Sequence, residues 1–501
     1  MMKSLGYRPE FAGAVEAAAS TGGQIMPPIM GAAAFLMAEF LGVPYTQIAR
    51  AAVIPAILYF TGIWIGVDLE AAKTGLRGLP KHALPKLKTV LRERGQLILP
   101  IIGMIFFLST GRTPTKAALY GLILSVLAGV LKKDVAAAEV ASGVERDYTP
   151  FDRLTGVIIA FAAGTFALRE FLSVGVGIAA LLAAAPPLAY YGALRLLAGG
   201  DPEKRGGALA TLDKFGAFVM PIIGAAVMWV ASGSLQSAVV YGIGLYFLSN
   251  ALTGEPQVSL RQLLSALETG ARGAVGVAVA CAGAGIIVGT VTLTGLGLKL
   301  ATGLVDLSGG NLLLTLVFTM VTSIILGMGA PTTANYIITS TIAAPALVKL
   351  GVLPMAAHLF TFYFGIIADI TPPVALAAFA GAGIAKADPF KTGINATKLA
   401  IAAFLIPYFF VYSPDLLMIN PGLNTVRILI GSVVGMVGVG AAVAGWFRTF
   451  SPWWERLLFL AGGLLLIEPG LTTDLIGVGL LALAWFTQAA RLRMRKTALR
   501  A

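Results

Sequence analysis

Ile25-Met26-Pro27-Pro28 returns later in the chain as Ile370-Thr371-Pro372-Pro373, and its surroundings return with it. Gly6 and Pro9 match Gly351 and Pro354, and Pro44-Tyr45 matches Pro389-Phe390, all at an offset of 345 without a gap. Alanine matches such as Ala12 with Ala357 are cheap in an apolar chain, so the prolines carry the repeat. Proline lacks an N–H and its ring clashes with the carbonyl four residues back, so each pair breaks its helix and frees backbone carbonyls. Hydrocarbon tolerates such carbonyls only where they are buried in protein or line a cavity, and there they can hold an ion. Interrupted membrane segments at corresponding places in two halves point to the binding site of a secondary transporter. Sequence similarity alone leaves the relative orientation of the halves open.

Composition agrees with a membrane protein. The 501 residues are 57% hydrophobic and 12% charged, and the mean hydropathy is +0.86. Apolar runs such as 51–67, 311–327, 397–413 and 426–446 approach the roughly 20 residues a spanning helix needs. The net charge of +12 is concentrated beside such runs. Residues 69–95 hold Lys73, Arg77, Lys81, Lys86, Lys88, Arg92 and Arg94, and the tail holds Arg491, Arg493, Arg495, Lys496 and Arg500. Short basic loops of this kind set topology and are expected in the cytoplasm, so a nucleic-acid partner is not expected. The single cysteine, Cys281, excludes an internal disulfide, and two distant histidines, His82 and His358, make a histidine metal site improbable. No G-x-x-x-x-G-K-[ST] nucleotide loop is present, and the polar start Met1–Glu10 leads to no expectation of a cleavable signal peptide.

The expected organisation has five parts. Residues 1–66 carry the first broken helix at Pro27-Pro28, and 67–254 form scaffold-like helices with an atypical insertion at about 132–215. Residues 255–310 hold an amphipathic arm, read over Ser259–Gly273, and a scaffold helix. Residues 311–396 form the second repeat, with a hairpin at 327–350 and a broken helix at Pro372-Pro373, and 397–501 are C-terminal membrane helices with a basic tail. Leu99-Pro-Ile-Ile-Gly103 also recurs as Met220-Pro-Ile-Ile-Gly224, by local duplication or by convergence.

The chemistry concentrates around the second break. In Leu326-Gly-Met-Gly-Ala-Pro-Thr-Thr-Ala-Asn-Tyr336, Gly327, Gly329 and Pro331 oppose a continuous helix, while Thr332, Thr333 and Asn335 offer oxygen ligands. Arms of about ten residues are too short to span, which favours a re-entrant hairpin over a kinked helix. Ala368-Asp-Ile-Thr-Pro-Pro373 adds carbonyls, the Thr371 hydroxyl and one acid, Asp369. Asp369 reads either as a proton or substrate group or as a boundary residue bonding freed N–H groups. Ser20-Thr-Gly-Gly-Gln24 occupies the equivalent place in the first copy, with Ser20 and Thr21 as further proton or substrate candidates, and Glu16 and Glu39 read as helix-end or interfacial acids.

At these residues the chain resembles a known family. Glu16-Ala-Ala-Ala-Ser-Thr-Gly-Gly-Gln-Ile-Met-Pro-Pro-Ile-Met-Gly-Ala32 and Gly327-Met-Gly-Ala-Pro-Thr-Thr-Ala-Asn335 are similar to the large subunit of tripartite ATP-independent periplasmic (TRAP) transporters. Ile467-Glu-Pro-Gly-Leu-Thr-Thr-Asp474 resembles the fused permeases that partner TAXI-type binding proteins. The resemblance implies an all-α, polytopic elevator of two inverted repeats, each with a re-entrant hairpin and a broken helix. It implies a coupling ion, usually sodium, on Gly327, Thr332, Thr333, Asn335, Ala368, Ile370 and Pro373, with Gly23, Ile25 and Pro28 as first-half counterparts. It further implies an extracytoplasmic binding protein that delivers a small organic anion, a multi-pass place in a bacterial or archaeal inner membrane, and no cofactor. A proton is the alternative coupling ion. The offset places the partner of Gly327 about 18 positions before Met1, so an N-terminally truncated permease is expected, and a non-transporting fragment is the alternative to a working carrier. An intramembrane enzyme would need acids or histidines clustered at one depth, which the scattered residues do not offer.

Overall fold

The structure, a computed structural model, describes residues 2–27, 30–76, 86–110, 113–130, 226, 260–419, 422–467 and 470–498. Pro28, the 132–215 insertion and the apolar pair read near 215–252 lie outside the described residues, Ala226 apart. The described residues are helical throughout, with one isolated bridge between Trp446 and Phe450. Five of the helical stretches are long and apolar enough to cross a membrane: Tyr45–Thr74, Leu264–Leu293, Pro389–Tyr412, Asn424–Ala444 and Leu471–Met494. The protein is an all-α, polytopic membrane protein.

The chain divides into two compact units, Met1–Leu84 with Ala274–Ala501, and Pro85–Gly273. The first opens with α1 (Pro9–Gly22), α2 (Ala33–Leu41) and α3 (Tyr45–Thr74). The second holds α4 (Leu87–Arg94), α5 (Leu99–Ser109) and α6 (Pro114–Val130), with α5 and α6 paired through Phe107 and Tyr120, whose rings lie 4.2 Å apart. The arm expected over 259–273 does not stand apart from the apolar run after it. Both belong to one uninterrupted helix, α7 (Leu260–Leu293), because neither Gly270 nor Gly273 is accompanied by a proline or a cap that would stop it.

After α8 (Leu296–Leu307) come α9 (Leu312–Gly327), α10 (Thr332–Ile342) and α11 (Ala344–Lys349). The chain reverses at Met328–Pro331, where Gly329 takes φ +76°, and α10 and α11 return along α9. The turn therefore stands at the start of the stretch read as a hairpin. Its first arm is the 16-residue α9, about 24 Å long and short of the roughly 30 Å hydrocarbon. Asn311 caps α9 by accepting the Leu314 N–H at 3.1 Å.

The second copy follows as α12 (Pro354–Ile367), α13 (Leu376–Ala385), α14 (Pro389–Leu399) and α15 (Ile401–Tyr412). Shifted by 345, α1 and α12 start and stop at the same residues, each led by a proline whose missing N–H costs nothing at a helix start. The orientation that sequence leaves open is visible in the packing. Along the third element of each copy, Gly62 of α3 meets Ala402 of α15 and Gly66 meets Leu399 of α14, so rising numbers pair with falling ones. Here α3 runs antiparallel to the stretch 345 positions further on, α14 with α15, as inverted copies require. The α1–α13 contact has the same sense: a Cβ on Gly13 would stand 3.2 Å from Ala385, and one on Gly381 would stand 3.5 Å from Ala17. Glycine at both positions lets the backbones touch, the usual means of close association where lipid supplies no hydrophobic drive.

The chain ends in α16 (Leu423–Ala444), α17 (Trp453–Ile467) and α18 (Leu471–Ala498). Fully buried Glu455 on α17 accepts from Thr487 and Gln488 of α18, each at 3.1 Å, and pairs with Arg491. This end also gathers the basic segments. Lys73, at the end of α3, donates to Ala444 O at 3.0 Å, and Arg491 donates to Phe450 O at 3.3 Å. Lys73 and Arg491 thus reach the chain at and just after the end of α16, so one residue of each stretch read as cytoplasmic lies at this end.

Candidate functional site

The hairpin turn, the second break and the first break converge. Asn335, one turn into α10 and 1% exposed, donates its side-chain amide to Gly365 O at 2.7 Å and to Gly327 O at 3.3 Å. One side chain thus ties both hairpin arms to the broken helix α12. The two glycines make this possible: a Cβ on Gly327 would stand 2.7 Å from Asn335 Nδ2, and one on Gly365 would stand 3.0 Å from Asn335 Cγ. The other amide atom, Asn335 Oδ1, is buried without a hydrogen-bond partner. A buried acceptor left over after its own amide has been spent on two carbonyls suits an electropositive guest.

The remaining second-half residues lie around this knot with different commitments. Thr332 donates its hydroxyl to Gln24 Oε1 at 2.8 Å, joining the hairpin to the first break. Thr333 is half-buried. Buried Ala368 and Ile370 bound the 3-10 turn after α12; Ala368 O accepts the Thr371 N–H at 3.3 Å and Ile370 O accepts the Thr397 hydroxyl at 3.3 Å. Thr371 spends its own hydroxyl on Ile367 O at 2.8 Å. Asp369 is half-buried, and Pro373 is exposed.

In the first half, Ile25 and Thr21 are buried, whereas Ser20 and Gly23 are exposed. Under the offset, Ser20 and Gly23 correspond to Gly365 and Ala368, which the second copy keeps buried. The equivalent helix faces are therefore not equivalently covered. Tyr59 of α3 fixes the end of α1 by donating to Ala18 O at 2.7 Å. Around α12, Tyr336 OH and His358 Nδ1 lie 2.7 Å apart, and Phe360, Phe364 and Tyr408 form edge-on ring pairs. His358 is a packed, hydrogen-bonded histidine here.

Sequence reasoning did not assign Gly365, Gln24 or Thr397 to the site. Gln24 had a signal, since the offset aligns it with Asp369 and makes both breaks polar at the same step. Gly365 reads only as a glycine within an apolar helix, and Thr397 as an ordinary helical threonine.

Inverted copies, helices broken at prolines and a polar hairpin knot between them define a membrane transporter of the inverted-repeat class. The description "Tripartite ATP-independent periplasmic transporter, DctM component" belongs to the family whose model matches residues 1–185 and 157–421. The chain belongs to that family, and it is a membrane permease component of a tripartite transporter. No curated protein and no solved structure matches it.

Proposed function

We propose that this permease is a sodium-coupled elevator-type carrier that imports small organic anions handed to it by an extracytoplasmic binding protein of the TAXI-associated type. Its setting in this reading is a bacterial or archaeal inner membrane. The observation that carries the proposal is the unpartnered, buried Asn335 Oδ1 beside the carbonyls of Gly327 and Gly365. Hard monovalent cations prefer oxygen ligands, and helix ends at a break supply them. Thr332 and Thr333 stand at the start of α10 close to this cluster, and Thr332 keeps oxygen lone pairs after donating to Gln24. The substrate anion is expected at the hairpin turn, where the N-terminus of α10 presents unpaired N–H groups.

Proteoliposomes carrying the transporter, with a panel of labelled small organic acids, test the reading. Uptake should need an inward sodium gradient and the added binding protein, and Thr332→Val or Thr333→Val should weaken the sodium dependence. Uptake driven by a pH gradient alone, with both variants unchanged, would assign coupling to protons and to half-buried Asp369. Rapid uptake without a binding protein would remove the tripartite reading.

A further inference from the structure

Aromatic residues crowd the loop between α16 and α17. In Trp446-Phe-Arg-Thr-Phe-Ser-Pro-Trp-Trp454 five of nine residues are aromatic, and with Trp485 of α18 this end holds four of the chain's six tryptophans. Their exposure is not that of a packed core: Phe450 is 63% exposed and Trp453 is 74% exposed. Tryptophan gathers where hydrocarbon gives way to headgroups, because its ring is apolar while its N–H is polar.

Positive charge gathers at the same place. The loop and the end of α18 bring Arg448, Arg456, Arg491 and Arg493 together in sequence with Arg495 and Lys496. Glu455, the acid nearest to the loop in sequence, is fully buried and already held by Arg491, Thr487 and Gln488. Arg456 donates to the carbonyls that end α16, Ala442 O at 2.7 Å and Val443 O at 3.4 Å. Arg448 is different. It is exposed, its guanidinium meets no carboxylate or carbonyl among the described residues, and it lies over the Trp485 ring, 5.0 Å from the centroid. Its backbone is fixed there by fully buried Gln488, which accepts the Arg448 N–H at 3.1 Å and donates to Ser451 Oγ at 2.7 Å. A guanidinium held by a ring keeps its fork of N–H donors for a phosphate or carboxylate.

We propose that this loop is an anionic phospholipid site, in which the Arg448 guanidinium receives the lipid phosphate and the exposed rings of Phe450 and Trp453 meet the lipid at the headgroup boundary. A soluble anion would satisfy the charge alone. A lipid answers the charge and the exposed rings together, and the anionic surface of a membrane supplies it beside a basic helix end.

The purified full chain in dodecyl maltoside is titrated with phosphatidylglycerol, or with phosphatidylcholine of the same acyl chains. Native mass spectrometry counts bound lipid, and thermal unfolding is followed in parallel. Wild type should retain phosphatidylglycerol, be stabilised by it, and respond little to phosphatidylcholine. Arg448→Gln should raise the phosphatidylglycerol concentration for half-maximal response about fivefold, the contribution of one cation near a charged surface. Arg448→Glu reverses the charge and should raise it about tenfold or more. Lys391→Gln removes one exposed positive charge elsewhere and should leave the midpoint where it is. Equal responses to the two lipids would overturn the proposal. So would a shift in Lys391→Gln as large as that in Arg448→Gln, which would reduce the effect to net charge. Inorganic phosphate that reproduces the stabilisation, with the same dependence on Arg448, would replace the lipid with a small anion and overturn the assignment. Should one Arg448 variant fail to fold, the other decides, since an unchanged midpoint in it removes Arg448 from the site.

Discussion

Gly365→Ala tests the knot without removing any of its polar groups. The added methyl would occupy space held by Asn335, whose Cγ lies 3.0 Å from the built Cβ, with Gly365 itself in the buried C-terminal half of α12. Backbone on one side and a packed amide on the other leave Asn335 as the group that must move. Moving it stretches the 2.7 Å bond to Gly365 O and the 3.3 Å bond to Gly327 O. Two hydrogen bonds at about 1 kcal/mol each, together with about 1–3 kcal/mol of overpacking strain, give a loss of about 3–5 kcal/mol. Thermal unfolding in detergent should show a fall of roughly 3–5 °C, and the stabilisation by sodium should be lost with it. Gly383→Ala is the matched control, because a Cβ there meets nothing within 4 Å. It should be neutral or stabilise by up to about 1 kcal/mol through helix propensity. Equal stability of Gly365→Ala and wild type would refute the placement of Asn335 across the two glycines.

Glu455→Gln should weaken the C-terminal helices by about 2–3 kcal/mol, since it leaves Arg491 without its carboxylate while Arg491 keeps some access to water; limited proteolysis should then cut between α17 and α18 first. In a Cys281→Ser background, Ala72→Cys and Arg493→Cys should react with a membrane-impermeant thiol reagent only from the cytoplasmic side, and Glu39→Cys only from the opposite side. Opposite labelling of Ala72→Cys and Arg493→Cys would contradict the shared basic end.

The proline pairs made the copies legible, because few chemistries besides a helix break explain Pro-Pro in an apolar run. Hence the coincident limits of α1 and α12. Orientation was not legible, since an offset between similar residues is blind to direction, and only paired contacts such as Gly62 with Ala402 reveal it. The hairpin turn is announced by Gly327, Gly329 and Pro331, and the apolar run before it forms α9, the arm that leads into the turn. The bond from Asn335 to Gly365 spans 30 residues, and no local pattern encodes which carbonyl an amide will reach. Buried Glu455 was invisible for the same reason, because its partners lie on another helix.

The inverted copies differ in one respect that bears on how the protein came to be oriented. Residues 69–95, which close α3 and follow the first copy, carry seven lysines and arginines, whereas the positions 345 further on, 414–440, carry only Arg427. A half with weakly charged loops has no strong preference for either insertion direction, and a single ancestral unit of that kind could be made in both orientations and pair with its own inverse. Joining two units in one chain removes the need for indecision. The basic cluster after α3 then acts as a lock on one orientation, and the second copy is free to lose or never acquire its own. Moving positive charge from 69–95 to the loop after α15 is accordingly the change with the best prospect of turning the two halves against each other during insertion.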